Sequence, residues 1–461
     1  MFIVLSVATI CLCLMGYAFA PASRVSGGLF ERIAMTIGLG ILVNYCLMLT
    51  GQPITRVLAA GLLLAIWGAW RLSRDRAASS TRAILKSRVA IITGACVIYL
   101  VAVYYLQVLS EPLLHWDARS IWFFHARMIW LEGALRQQAG WNHHSIVFSH
   151  PDYPMLVPAL AAQLASLKGY WNEFLPKGSL VVMLVPIVLW IFSFRRRSVT
   201  FVLLVLAFFF SLGGWLWNGY MDGYLVMYAG VALLSFGRYL SEGRLVDLCS
   251  AMVAAGIASN LKNEGLLFAV CFVAAVLVSG IKYSELTVKR LAKHFRTNPV
   301  AIGVLLLSIA PAVMWTLCKA AWGIQSELTG DPVQAWARLS VRLFDGATPQ
   351  YLLNYLLVRS TAIWLVAGLL TTTLIFLGRR SLKIPPGATV AALTALLYVC
   401  GLYAVYLSTP HNFEFHVSTS GTRTMTTASM ALLVSLFFLL SALEVNADRA
   451  GQPGRVLETA S

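Results

Sequence analysis

Apolar runs of about 20 residues succeed one another along this chain, separated by short polar segments, and that is the length a helix needs to cross a bilayer. Lipid offers no water to backbone N–H and C=O groups, so spanning segments close their hydrogen bonds internally, as helices. The 461 residues are 59% hydrophobic and 12% charged, with mean hydropathy +0.76. That leaves too little polar surface to coat a water-soluble globule. The expected fold is an all-α polytopic membrane protein. Candidate spans lie near 2–20, 30–50, 57–71, 89–108, 179–194, 199–213, 224–240, 246–260, 265–281, 299–318, 351–377, 388–408 and 425–444, about 13 in all. No Ser/Gly/Pro-rich linker separates them, so one integral domain is expected.

The net charge of +16 does not point to nucleic acid, because the basic residues sit in short clusters between apolar runs, the pattern of orientation signals. Arg71, Arg74, Arg76, Arg82, Lys86 and Arg88 precede the fourth span, and Arg195, Arg196 and Arg197 follow the fifth. Lys282, Lys289, Arg290, Lys293 and Arg296 follow the ninth, and Arg379, Arg380 and Lys383 the eleventh. Alternation puts all four clusters in the cytoplasm, provided 155–167 is interfacial or re-entrant. It is short, with Pro154 and Pro158 at its start. The first run ends Ala18-Phe19-Ala20, like a signal-peptidase site, but no basic residue precedes it and Arg24 follows; a retained span is expected. The expected order is N-terminal spans over 1–88, a membrane domain over 89–445 with an external loop at 109–178, and a cytoplasmic tail at 446–461. The cysteines all fall inside apolar runs without metal-site spacing and read as small buried hydrophobes.

The same alternation gathers the polar chemistry on the opposite, external face: 111–153, 215–222, 260–264, 319–350 and 409–423. The first of these begins His115-Trp116-Asp117-Ala118-Arg119 and closes His150-Pro151-Asp152-Tyr153-Pro154. From Asp117 onward, Ile121, Phe124, Met128, Leu131 and Leu135 recur at spacings of three and four, with Arg119, Arg127 and Arg136 between them. An interfacial amphipathic helix is expected, with Trp116, Trp122 and Trp130 at headgroup depth. Asp117 then either caps that helix and pairs with Arg119 or Arg127, or serves as a base. Pro151 and Pro154 stiffen the backbone around Asp152. Asp222 opens a span, where a carboxylate gains from the helix dipole but is costly unless it faces protein or water. Lys262-Asn263-Glu264-Gly265 puts a lysine on the face that orientation signals avoid, which suggests an anionic partner or a surface Lys–Glu pair. His416 and Arg423 belong to the last external segment, and an arginine fork suits phosphate. His143, His144, His150 and Asp152 match no zinc spacing.

In order and sidedness these motifs resemble the C-type glycosyltransferases. These multi-pass enzymes use polyprenyl-phosphate or diphosphate sugars and include protein mannosyltransferases and lipid A aminoarabinose transferases. Asp117 is similar to their acid in the first large external loop, His150-Pro151-Asp152-Tyr153-Pro154 to the element closing that loop, and Tyr220-Met221-Asp222-Gly223-Tyr224 to the aspartate opening a later span. Residues 259–265 resemble their lysine-containing turn, and 415–423 a late loop. Four candidate spans precede the loop, three more than in many members. The resemblance implies a membrane transferase with Asp117 as general base and Asp152 orienting acceptor, leaving phosphate or a divalent ion (Mg or Mn). It implies Arg127, Lys262 and Arg423 against the phosphate, with Arg119, His150, Asp222, Glu264 and His416 also lining the substrate. The donor would be a polyprenyl-phosphate-linked sugar, the acceptor a lipid, glycan or protein, and the location the inner membrane with a periplasmic active face. The alternative is a multi-pass transporter or flippase of a lipid-linked or anionic substrate, which calls for charges deep in spans and an internal repeat.

Overall fold

The computed structural model describes all residues except 22–23, 26, 76–87, 137–142, 195–199, 201–204, 206–211, 283, 327–329, 380–382 and 452–461. The described residues are overwhelmingly helical and form no strand; one isolated bridge joins Pro53 to Ala134. The helices are α1 (Phe2–Phe19), α2 (Leu29–Leu49), α3 (Ile54–Arg74), α4 (Arg88–Ser110), α5 (Phe123–Glu132), α6 (Leu156–Lys168), α7 (Phe174–Ser193), α8 (Met221–Glu242) and α9 (Leu245–Ala258). There follow α10 (Asn263–Lys282), α11 (Ser284–Thr297), α12 (Pro299–Trp322), α13 (Pro332–Phe344), α14 (Ala347–Leu353), α15 (Thr361–Arg379), α16 (Pro386–Ser408) and α17 (Phe413–Gly451). Their ends follow side-chain chemistry. Asn298 and Asp331 accept the first free N–H groups of α12 and α13, each followed by a proline at the first helical position. Left-handed glycines 133, 169, 243 and 323 close α5, α6, α8 and α12.

Eight helices among the described residues are long and apolar enough to cross a membrane, and nine if the bent pair Ala347–Val358 and Ile363–Arg379 is one broken span. The chain is a multi-pass membrane protein. Of the other expected spans, 199–213 lies mostly outside the described residues, as do Arg76, Arg82, Lys86, Arg195–Arg197 and Arg380 of the basic clusters and the end of the tail. The expected spans at 224–240 and 246–260 form α8, long but carrying Asp222, Arg238 and Glu242, and the 14-residue α9. Within α4, Ile98–Ser110 is a shorter apolar helix.

Helices α2, α7, α8 and α9 are buried along most of their length, while α3, α12 and α15 turn large apolar side chains outward. The bundle has two chemically different ends. One gathers Glu31, Arg238, Arg244 and Asp247, with Asn298 reaching the Arg24 carbonyl. The other, here called the mouth, gathers the start of α8, the α9–α10 turn, the end of α12 and the first turns of α17. Segment α6 does not traverse the bundle: its N-terminal Met155 N–H donates to the Tyr45 hydroxyl near the mouth end of α2, and the chain re-enters there through Lys177 of α7, which donates to the Glu111 carbonyl.

The segment after Asp117 departs from the expected stripe. It opens with a π-helical turn, Ala118–Trp122, before α5 begins. The wider turn rotates the face that follows. His125, Ala126 and Ile129 are therefore buried, Leu131 points outward, and Trp122 lies in the core rather than at headgroup depth.

Candidate active site

Asp117 follows α4 and stands half-buried at the mouth. Its Oδ2 takes a 2.7 Å ion pair from Arg423, three turns into α17 and 306 residues away in sequence. Neither pairing considered from sequence, with Arg119 or Arg127, is formed, and Asp117 makes no side-chain cap. Arg119 and Arg127 are exposed on the π turn and α5 and are not drawn into the cluster. Arg423 also faces Asp222 at 3.7 Å, and Asp222 receives Lys262 at 2.9 Å. Lys262 in turn lies 3.4 Å from Glu264. The result is a chain of alternating charge, Asp117–Arg423–Asp222–Lys262–Glu264, running from the rim inward. The Lys–Glu pair weighed from sequence does form, but it is buried rather than superficial, and Asp222 is the nearer partner. Burial opposes the Lys262 charge, yet the Asp222 and Glu264 carboxylates outweigh it and hold the ammonium above the usual lysine range.

Local sequence explains how the segments of this cluster meet. The Asn218 side chain accepts the Tyr220 N–H, an Asx turn that points the chain into α8. Gly219 sits at φ +91°, and a Cβ there would come within 2.6 Å of Ala118, so only glycine lets this turn rest on the π turn behind Asp117. The ring of Tyr220 then lies under the guanidinium of Arg423, 5.3 Å from its centre, with His115 against its edge. Burial, followed by the Asp117 carboxylate, pushes the Tyr220 phenol up.

Asp152 forms the adjoining part. It is fully buried: its Oδ2 accepts Asn263 Nδ2 at 2.7 Å, and its carbonyl accepts the Trp315 indole at 3.2 Å. His150 adopts φ 53°, the only left-handed non-glycine residue among those described, a conformation tolerated where surroundings enforce it. Here that enforcement is a stack: His150 on Tyr153 at 4.9 Å and Tyr153 on Trp122 at 5.5 Å. Lys262 sits over the same Tyr153 ring, which joins the Asp152 turn to the charge chain. From α17, His416 meets the Thr409 hydroxyl at 2.8 Å and lies within electrostatic reach of His150 and Lys262.

Thus Asp117, Asp222, Lys262, Glu264 and Arg423 are ion-paired to one another, with His150, Asp152 and His416 beside them. Tyr220, Asn263 and Trp315 belong to the site but were not assigned roles from sequence. Tyr220 and Asn263 lie inside quoted motifs, whereas Trp315 looks like an ordinary residue near the end of a span. Among the described residues no three His, Cys, Asp or Glu side chains gather to hold a metal, and His143 instead accepts the Ser145 N–H at the start of a short helix. A divalent ion between Asp117 and Asp222 would have to displace Arg423. No family model matches the chain, and neither a curated protein nor a solved structure matches it.

Proposed function

We propose that the chain is a membrane glycosyltransferase that moves a sugar from a polyprenyl-phosphate-type donor to an acceptor hydroxyl at the external face of the inner membrane. The observation that carries this reading is the half-buried Asp117 held by Arg423 at the rim of the charge chain. It is a carboxylate open to an incoming hydroxyl, with a guanidinium beside it for phosphate. The acceptor oxygen attacks the anomeric carbon, the bond from that carbon to the phosphate oxygen breaks with inversion, and Asp117 takes the hydroxyl proton. The departing phosphate carries the negative charge, which Arg423 meets as it develops. Asp152, fixed by Asn263 and Trp315, orients the acceptor. Asp222, Lys262 and Glu264 hold Arg423 and the α8 and α10 starts in register.

The test is transfer from a radiolabelled polyprenyl-phosphate sugar in membranes. Asp117→Asn should lose at least about 100-fold in rate at unchanged protein level, the scale of a general base. An Asp117→Asn enzyme with wild-type turnover would overturn the assignment. The buried charges between α8 and α10 favour the transporter or flippase alternative enough to keep it as a second reading. Substrate uptake without a new glycosidic bond would select it.

A further inference from the structure

Helix α6 crosses the mouth end of α2 instead of running beside it. The Met155 N–H at its start donates to Tyr45, and its Gln163 pairs with Asn44. The two α6 residues are about 12 Å apart along their axis, whereas Asn44 and Tyr45 are neighbours. The helix therefore covers a space walled by α1, α2 and α3. Leu160, Gln163, Leu164 and Leu167, one stripe at i, i+3, i+4 and i+7, line it.

That space is a cavity of about 560 Å³. Interiors pack with few gaps larger than a water molecule, whereas ligand sites run to roughly 300–1,000 Å³. Its rim is made by Ile3, Val7 and Leu62, each more than half exposed. They belong to α1 and α3, two apolar spans that are mostly unburied, so the opening faces hydrocarbon. The lining is apolar except at one place. There Asn44 and Gln163, both buried, bond reciprocally, Nδ2 to Oε1 at 2.7 Å and Nε2 to Oδ1 at 3.1 Å. Each amide nitrogen carries two hydrogens, and this exchange uses one of them. Asn44 lies about 8 Å below the mouth end of α2, where the interfacial region of a bilayer, about 5–8 Å deep on each face, gives way to hydrocarbon.

Spare N–H groups at that depth in an apolar wall call for an acceptor. A glycerolipid brings one, the ester carbonyl at the head of each acyl chain. An isoprenyl chain carries no oxygen below its phosphate. We propose that this cavity binds one acyl chain of a glycerophospholipid from the mouth-side leaflet, its ester carbonyl accepting from the Asn44–Gln163 pair. The site is separate from the charge chain and stands whether or not Asp117 acts as a base.

The experiment uses the full chain, delipidated in detergent and titrated with a diacyl phosphatidylglycerol, its dialkyl ether analogue and geranylgeranyl phosphate. Bound lipid is counted by native mass spectrometry. Wild type should bind the ester roughly three- to tenfold more tightly than the ether, the scale of one neutral hydrogen bond. Asn44→Leu with Gln163→Leu removes both partners together and leaves no buried amide unpaired; this double variant should bind ester and ether alike. Ala8→Phe, which puts a ring into the cavity from α1, should weaken both. Equal affinity of wild type for ester and ether, or an ester preference that survives in the double variant, overturns the proposal. Ester binding unchanged by Ala8→Phe would place the lipid elsewhere and overturn the site. Tighter binding of geranylgeranyl phosphate than of the ester would assign the cavity to an isoprenyl carrier and overturn the acyl occupant.

Discussion

The imidazole of His125 is fully buried, and its Nε2 meets the Ser149 hydroxyl at 3.0 Å. Burial, and then the neighbouring His150, push its pKa down to about 3. The unfolded chain therefore binds a proton near pH 6.5 that the folded chain refuses, and stability falls as pH drops from there. By pH 4 the loss from this one group is about 3 kcal/mol. His125→Gln should flatten the fall in unfolding midpoint between pH 6.5 and 4; a profile parallel to wild type would remove His125 as its cause. Nothing in the sequence singles out His125, because the π turn that rotates it inward leaves no periodic signature. The same limit hides the ion pairs. Asp117 and Arg423 are both visible as polar residues in external segments, but their 306-residue separation makes the pairing a product of tertiary packing alone. Trp315 was missed for another reason: a tryptophan near the end of an apolar run ordinarily anchors a span at the interface, and only its hydrogen bond to the Asp152 carbonyl distinguishes it.

At the scale of elements, apolar length predicted most of the helices well, since a spanning run has few conformational alternatives. How closely they approach one another was less visible. Helices α1 and α2 touch backbone to backbone: a Cβ on Gly40 would fall 1.9 Å from the Leu12 carbonyl oxygen, and one on Gly16 equally near that of Thr36. Without a strong hydrophobic drive inside lipid, such small-residue contacts hold helices together through van der Waals packing. Gly303 of α12 has nothing within 4 Å of its would-be Cβ. The same change therefore has opposite expected signs. Gly303→Ala should stabilise by up to about 1 kcal/mol through helix propensity, while Gly40→Ala should destabilise by about 1–3 kcal/mol as α1 is forced off α2. Unfolding midpoints in one detergent compare them directly, and a Gly40→Ala protein as stable as wild type would mean that α1 has room to move.

Across the whole molecule, α8 links two charged regions. Asp222 opens it at the mouth and Arg238 closes it at the other end, about 24 Å away along the helix axis. Arg238 is nearly buried and binds three elements at once. It pairs with Glu31 of α2 at 2.7 Å, donates to Asp247 of α9 at 2.7 Å and donates to the Ser193 carbonyl of α7 at 3.1 Å. Arg244 reaches the same two acids, but its side chain is 34% exposed. The Glu31 and Asp247 charges are thus removed from water and are met by Arg238 and Arg244, of which Arg238 is the buried one. Arg238→Ala leaves them buried with one partial partner, a loss of about 3–5 kcal/mol. Arg244→Ala leaves Arg238 on both acids and removes hydrogen bonds made by a side chain one-third exposed, a smaller loss of about 1–3 kcal/mol. Because Glu31 anchors α2, whose far end supplies Tyr45 to the chain just beyond Asp152, the Arg238 change should also loosen the N-terminal helices from the rest. Limited proteolysis and unfolding midpoints of the two variants test this ranking. Equal losses would mean that the Arg238 cluster is hydrated in the membrane and carries no such clamp.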